Sequence, residues 1–303
     1  MNRTQLTADS LTLAYERSTV VHDVSLDITP GAVTALIGPN GSGKSTVLRS
    51  MARLHPVSTG SVTVRDAAPL AGDAEGTKGH AATRDSAATR DSTGARGGQG
   101  HTDAAALSAR EFARRVTLLS QSRPNPSGLS VRDVVAYGRH PHRRRFAALS
   151  DSDHAAIEKA LRLTGTELMA DRAVDQLSGG ELQRVWLATC LAQDTGVVLL
   201  DEPTNHLDLR YQVEILDLMR ELADDHGTAV GVVLHDLNHA AAVADHVVLL
   251  SGGRVRVEGT PPEVFSAGVL SEVYGIPIVS HVDDDSGLVR VESLPRRCLA
   301  RTA

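Results

Sequence analysis

Residues 38–46 read Gly38-Pro39-Asn40-Gly41-Ser42-Gly43-Lys44-Ser45-Thr46, and this stretch is the strongest indication of the fold. The first eight of these residues match G-x-x-x-x-G-K-[ST], the pattern of a phosphate-binding loop. The apolar, β-branched run at 32–37 predicts a buried strand before the loop, and the apolar spacing within 45–53 predicts a helix after it. Strand, glycine-rich loop and helix in this order predict a phosphate site.

The chemistry of the loop explains why these residue types are needed. Gly41 and Gly43 allow backbone conformations in which successive N–H groups point at an anion, and the following helix adds its own unpaired N–H groups and dipole. Lys44 is placed to reach the β- and γ-phosphates, and the Ser45 hydroxyl to bind Mg²⁺. A plain glycine turn would not explain why Lys44-Ser45 follow Gly43.

The composition of the 303-residue chain is typical of a globular protein, with 41% hydrophobic and 3% aromatic residues. A formal charge of −6 disfavours a protein that coats nucleic acid, although 139–145 is a local basic run. Cys190 and Cys298 form no spaced cluster, which fits a reduced, cytosolic setting without a disulfide framework or a cysteine-rich metal site.

Neither a membrane helix nor a signal peptide is predicted. The longest strongly apolar runs are far shorter than the ~20 residues that a membrane helix needs. Residues 1–10 are polar and lack an apolar core segment. We therefore expect a soluble protein, or one attached to a membrane only through a partner.

The order of apolar runs predicts an α/β fold. Residues 4–31 alternate as antiparallel strands do, 122–176 is rich in helical spacing, and strands alternate with helices from 197 to 257. The run at 197–200 is apolar without alternation, as expected of a parallel strand covered on both faces. We expect a mostly parallel core sheet flanked by helices, an antiparallel N-terminal β region and an inserted helical subdomain at 122–176.

The domain is predicted to span 4–280, with 281–303 as a C-terminal tail. Within it, 71–106 has almost no large apolar residue and repeats the hexapeptide AATRDS in tandem, so it cannot bury enough surface to offset its ordering entropy. We interpret 71–106 as a disordered insertion; a regulatory or docking role is the alternative. The run at 140–145 is either a solvated loop or a docking surface for a partner.

Further motifs follow the phosphate loop in a fixed order. Gln121 follows a predicted strand, LSGGE at 177–181 opens a helix, and Asp201-Glu202 end the apolar strand at 197–200. Leu207-Asp208 and then His235, after another strand, complete the series. Together they resemble the ATP-binding cassette (ABC) family of transport ATPases, over about 4–280 excepting the insertion. LSGGE is the discriminating element, because many other nucleotide-hydrolysing proteins share the phosphate loop and the acidic strand end.

The resemblance implies how nucleotide and metal would bind. Tyr15 would stack on adenine, residues 38–46 would cradle the phosphates of ATP, and Mg²⁺ would be held through Ser45, Gln121 and Asp201. Ser178, Gly179 and Gly180 would contact the γ-phosphate of ATP bound to a second copy. The catalytic unit would then be a head-to-tail dimer, with Asp208 coupling its two sites.

The resemblance also implies the hydrolytic residues: Lys44, Gln121, Glu202 and His235. Glu202 would polarise the attacking water and His235 would contact the γ-phosphate. Such roles suit phosphoryl transfer, which needs positioned cations and a group that orients water. Taken singly, Asp201-Glu202 could be a solvated strand end and His235 a structural histidine; their joint occurrence after the right elements favours function.

Within the family, a single cassette on its own chain resembles the subunits of importers for iron-siderophores, haem or cobalamin. Supporting stretches are YGRHPH at 137–142, DLRYQ at 208–212 and LHDLN at 234–238. The resemblance implies integral permease subunits and an external substrate-binding protein as partners, no nucleic acid, and a location at the cytoplasmic face of the membrane. Iron-siderophore import is our first hypothesis, and haem or cobalamin import the alternative.

A non-transport cassette protein that acts on ribosomes or nucleic acid is the competing hypothesis. Such proteins usually join two cassettes in one chain or insert a long coiled coil. This chain shows one cassette and no heptads. Transport is therefore favoured. The insertion at 71–106 departs from the family, whose members cross this region by a short link.

Overall fold

The computed structural model describes residues 4–16, 18–66, 101–121, 126–144, 147–205 and 207–294. The tandem hexapeptide and the rest of the predicted insertion up to residue 100 lie outside the described residues. The same holds for Arg145 in the basic run and for 295–303 in the predicted tail.

Strands occupy both halves of the chain. They are β1 Thr4–Tyr15, β2 Ser18–Ile28, β3 Val33–Ile37, β4 Thr59–Asp66, β5 Thr102–Asp103, β6 Val116–Leu119, β7 Val197–Asp201, β8 Ala229–Val233, β9 His246–Ser251, β10 Arg254–Gly259, β11 Ile278–Val282 and β12 Val289–Ser293. The α-helices are α1 Lys44–Met51, α2 Ala109–Ala113, α3 Val131–Ala136, α4 Asp151–Leu163, α5 Gly179–Ala192, α6 Leu209–Asp224, α7 Leu237–Val243, α8 Pro261–Val264 and α9 Ala267–Tyr274.

The central sheet has the strand order β10-β9-β3-β8-β7-β6. Its pairs are parallel except β9 with β10, which is antiparallel. Strands β3, β7 and β8 are buried along their whole length because both faces of the sheet are covered. The predicted α/β fold with a mostly parallel core sheet is confirmed. Parallel strands also bring the ends of β3, β6, β7 and β8 to one edge, where the candidate site lies.

A second, antiparallel sheet with the order β2-β1-β4-β5 forms the N-terminal β region. It corrects one predicted boundary, because residues 101–106 are structured although they fall in the predicted insertion. Val64 pairs with Thr102 and Thr63 with Asp103. Ala104, in the 3-10 turn that follows, is only 1% exposed. Small side chains are thus enough for residues 101–106 to be structured, since backbone pairing with β4 supplies the contacts.

The helical region is built by α3 and α4, which pack against α5. A Cβ on Gly138, just after α3, would lie 2.1 Å from the Thr189 carbonyl oxygen, so only glycine allows this close approach. Arg139 Nε donates to Asp153 Oδ1 over 2.8 Å, and the two side chains are 6% and 7% exposed. Arg139, the first residue of the basic run at 139–145, is therefore buried and paired with Asp153.

The C-terminal boundary also differs from the prediction. Residues after 280 do not begin a tail, because β11 and β12 form an antiparallel hairpin that packs on α7. Val289 and Val291 are buried and belong to the same core cluster as Ile278. The alternation of these valines with polar residues is the pattern of a half-buried strand. Among the residues described, none of the helices combines the length and apolar character needed to cross a membrane.

Candidate functional site

The loop between β3 and α1 is closed by glycines that no other residue could replace without strain. Gly38 and Gly43 have φ of 138° and 100°. A Cβ on Gly38 would lie 2.0 Å from the Leu250 carbonyl oxygen, and one on Gly43 would lie 2.8 Å from Val21 Cγ2. The loop therefore packs directly on neighbouring strands, and Gly43 opens α1 as its N-cap.

Two polar side chains of the loop are buried. The hydroxyl of Ser42 has no hydrogen-bond partner within the described part of the chain, which leaves a donor for an anion in the loop. Lys44 Nζ donates to the carbonyl oxygens of Gly38 and Pro39 over 2.8 and 3.0 Å. Burial lowers the pKa of Lys44, while the charges of Glu202 and Asp201 oppose that shift.

Asp201, the last residue of β7, is fully buried and uses both carboxylate oxygens. Ser45 Oγ donates to its Oδ1 over 2.6 Å, and Arg49 Nη2 lies 3.2 Å from its Oδ2. A carboxylate and a hydroxyl in contact are oxygen ligands of the kind that Mg²⁺ prefers. Sequence reasoning missed Arg49, yet its spacing of four residues from Ser45 places both on one face of α1.

Glu202 is the centre of the site. Its φ of 55° is a left-handed conformation that is unusual for a residue with a side chain. Its Oε2 accepts from Gln121 Nε2 over 2.8 Å and from Asn205 Nδ2 over 2.5 Å, and its Oε1 lies 2.5 Å from His235 Nε2. The structure thus brings together three residues that the sequence placed after separate strands, and adds Asn205, which sequence reasoning missed.

These groups line an open cleft of ≈ 610 Å³. Its walls are formed by the phosphate loop on one side and by the ends of β6, β7 and β8 on the other, through Asn40, Gly41, Gln121, Glu202, Asn205 and His235. A half-buried carboxylate held by three donors next to the phosphate loop can orient a water molecule toward a bound phosphate.

The LSGGE motif lies elsewhere. Ser178 caps the N-terminus of α5 in a capping box, in which Ser178 Oγ donates to Glu181 Oε2 over 2.9 Å and accepts from the Glu181 N–H. The hydrogen bonds from Ser178 lower the pKa of Glu181. Ser178 and Gly179 are exposed, and a Cβ on Gly179 would meet no atom within 4 Å. Neither residue, nor Gly180, lines the cleft of its own chain.

Tyr15, Asp208 and Thr46 are among the other predicted residues that lie outside the cleft lining. Tyr15 ends β1, is 47% exposed, and its ring centroid lies 4.4 Å from that of His55. Asp208 caps α6 by accepting from the Tyr211 N–H over 3.0 Å. Thr46 is half-buried in the first turn of α1. Their predicted roles stay predictions, as do those of the residues within the cleft.

A glycine-rich phosphate loop with its lysine, an acidic strand end and a polar cleft between them define a nucleotide-binding ATPase of the phosphate-loop class. Comparison with known proteins narrows this class. The family model described as ABC transporter matches residues 21–205. The chain belongs to the ABC transporter family, and it is an ATPase of that family.

Relatives and solved structures agree with this assignment. The ferric enterobactin transport ATP-binding protein FepC of Escherichia coli (strain K12) is 35% identical over 292 residues, 96% of this chain and 95% of that protein. The iron(3+)-hydroxamate import ATP-binding protein FhuC of Bacillus subtilis (strain 168) is 36% identical over 271 residues, 89% and 88% of the two chains. The solved structure of an inward-facing metal-chelate type ABC transporter matches this chain with a TM-score of 0.75 at 22% identity, covering 97% of this chain and 99% of that chain. This match shows a likeness of fold.

Proposed function

We propose that this protein is the ATP-hydrolysing subunit that powers an importer of iron-siderophore complexes. The observation that carries the ATPase assignment is the Glu202 carboxylate, held by Gln121, Asn205 and His235 beside the phosphate loop. The substrate class is supported by relatives, 35% and 36% identical over most of their length, that are named for ferric enterobactin transport and iron(3+)-hydroxamate import.

The residues of the loop fit ATP. Backbone N–H groups of the loop, the Ser42 hydroxyl and the Lys44 ammonium would bind its phosphates. Ser45 and Asp201, already in contact, would hold Mg²⁺ together with the phosphates, and Gln121 would approach it from the end of β6. Magnesium, when bound, neutralises charge on the phosphate oxygens. Tyr15 would stack on the adenine ring from the end of β1.

The cleft residues would carry out the hydrolysis. Glu202 accepts a hydrogen bond from the attacking water and aims it at the γ-phosphate, while Gln121 and Asn205 hold that carboxylate in place. His235 donates to the γ-phosphate oxygens as charge develops on them. No covalent intermediate with the protein is needed, because the reaction is a direct transfer to water.

A second copy of the chain would complete each site. Ser178 and Gly179 are exposed at the N-terminus of α5, where the unpaired N–H groups of the helix suit an anion. Because they do not line the cleft of their own chain, they would contact ATP held by the other copy in a head-to-tail dimer. Asp208, which starts α6, would couple the two sites.

The importer would also need membrane partners. We propose that the helical region contacts integral permease subunits, that the protein lies peripherally at the cytoplasmic face of the membrane, and that an external substrate-binding protein delivers the iron complex. The family membership and the names of the relatives support this arrangement.

Reconstitution tests the proposal. The protein is purified with its permease subunits, placed in proteoliposomes, and assayed for ATP-dependent accumulation of a labelled ferric siderophore, with labelled haem and cobalamin as competitors. We expect siderophore accumulation that ATP drives and that Glu202→Gln abolishes. Accumulation of cobalamin or haem alone would overturn the substrate class. Copurification with ribosomes and no permease would overturn transport.

A further inference from the structure

The segment that carries His235 is fixed at both ends. At one end, the Leu234 N–H donates to the Leu36 carbonyl oxygen over 3.2 Å, which ties the end of β8 to β3. At the other, Asp236 caps α7 by accepting from the N–H groups of Asn238 and His239 over 2.8 and 3.0 Å. The position of His235 therefore depends on where α7 lies relative to the sheet.

Asn238 links α7 to the C-terminal hairpin. Its Nδ2 donates to the Val291 carbonyl oxygen over 3.1 Å, and its Oδ1 accepts from the Val291 N–H over 2.9 Å. One side-chain amide thus satisfies both backbone groups of a residue in β12, as a neighbouring strand would. No other residue type of this size presents a donor and an acceptor side by side in this way.

The hairpin is a rigid support for this contact. Val289, Val291 and Ile278 are buried in the main core cluster. Ser271 accepts from the Ile278 N–H over 2.9 Å, and the Leu294 N–H donates to the Pro277 carbonyl oxygen over 2.9 Å. The hairpin is therefore anchored to α9 and to the core independently of Asn238.

The tolerance for movement at His235 is small. His235 Nε2 lies 2.5 Å from Glu202 Oε1, and a displacement of about 1 Å in a catalytic group can reduce a rate by ~10²-fold. The seven-residue helix α7 begins two residues after His235, with the N-cap Asp236 between them. A contact near this N-terminal end controls the direction of His235 more directly than packing further along the helix.

We propose that Asn238 is a positioning residue, which joins α7 to the C-terminal hairpin and thereby holds His235 at the distance from Glu202 and from the γ-phosphate that hydrolysis requires. The inference rests on the proposed function, because it takes His235 to contact the γ-phosphate. It assigns a catalytic purpose to a hairpin that otherwise lies outside the nucleotide site.

The test combines Asn238→Ala with Asn238→Asp, which keeps the acceptor for the Val291 N–H and loses the donor. Ser286→Ala is the matched control, since it removes a hydrogen bond to Asp283 in the hairpin turn without touching α7. We expect kcat to fall about tenfold or more in Asn238→Ala, less in Asn238→Asp, and not at all in Ser286→Ala. In the Asn238 variants, the preference for ATP over ADP in equilibrium binding should fall together with kcat.

A double mutant separates positioning from general damage. In a His235→Ala background, Asn238→Ala should cause no further loss of ATP-over-ADP preference, because the residue through which it acts is gone. An equal loss in both backgrounds would overturn the inference, as would an unchanged kcat in Asn238→Ala. If the unmodified protein failed to bind ATP, the proposed function would fall first, and this inference with it.

Discussion

At the scale of single residues, Glu202 is the side chain on which hydrolysis should depend. Glu202→Gln keeps the shape of the side chain but places an amide donor among the donors Gln121, Asn205 and His235. We expect ATP binding and dimer formation to survive and turnover to fall by about 10²-fold or more, since the water loses its acceptor. Phosphate release and equilibrium nucleotide binding measure the two effects separately.

Glu214→Gln is the control for this substitution. Glu214 is a partly exposed carboxylate on α6 whose partner is Arg210, 2.8 Å away, outside the cleft. Its replacement should leave turnover unchanged. Retention of hydrolysis by Glu202→Gln would mean that another group orients the water.

Much of the site could be predicted because parallel strands end at one edge. Gln121, Glu202 and His235 each follow a strand of the central sheet, so their convergence follows from the α/β pattern. Arg49 was predictable from helical spacing, although it was missed. The contact of Tyr15 with His55 was not, because it depends on how the loop after α1 passes the end of β1.

At the scale of elements, two helices offer a matched comparison. α2 and α5 both begin with a Ser–Glu capping box, Ser108 with Glu111 and Ser178 with Glu181. Replacing either serine with alanine should cost about 0.5–2 kcal/mol of stability, since the same cap is lost. Only Ser178→Ala should also lower ATP turnover, because only Ser178 is proposed to contact nucleotide. Chemical denaturation and ATPase assays on both variants check this. Wild-type turnover in Ser178→Ala would contradict the assignment.

The capping boxes also predict how stability depends on pH. Burial would raise the pKa of Asp153, but hydrogen bonds from Ser150 and Arg139 outweigh it and hold that pKa well below its usual range. Hydrogen bonds from Ser178, Ser130 and Ser108 likewise lower the pKa values of Glu181, Asp133 and Glu111. Below a pH of about 4, the unfolded chain binds protons that the folded chain does not, so stability should fall as the pH is lowered.

Denaturation curves between neutral and acid pH check this dependence. Ser150→Ala should flatten this pH dependence, because Asp153 loses the hydrogen bond from the Ser150 hydroxyl and its pKa moves toward the unfolded value. A slope unchanged in Ser150→Ala would show that other carboxylates govern acid unfolding.

At the scale of the whole molecule, the neighbouring ends of β4 and β5 predict which part of the chain is dispensable. Val64 pairs with Thr102, so removal of 71–100 leaves 67–70 and His101 to connect adjacent antiparallel strands, a length within the usual range of about 2–5 residues for hairpin loops. We expect the shortened protein to keep its fold and ATPase activity. Thermal unfolding and turnover measure both.

A longer deletion, 71–106, is the control. It removes β5 and the buried Ala104, and should lower the midpoint of thermal unfolding. Loss of the fold in the shorter deletion would show that 71–100 contributes to the core.

Both domain boundaries were harder to predict than the site, for a physical reason. Composition identifies a segment that cannot form its own core, but not where its end begins to pair with an existing strand, as Thr102 and Asp103 do. In the same way, the short alternation around Val289 and Val291 becomes a strand only because Ile278 and α7 offer surfaces to cover.

The left-handed backbone of Glu202 has a consequence for how such a protein evolves. A side chain at φ of 55° costs about 1–2 kcal/mol that glycine would not. Selection for heat resistance alone would therefore favour glycine at this position, and selection for nutrient uptake would restore glutamate. At this one position, backbone stability and the carboxylate that the cleft requires therefore favour different residues.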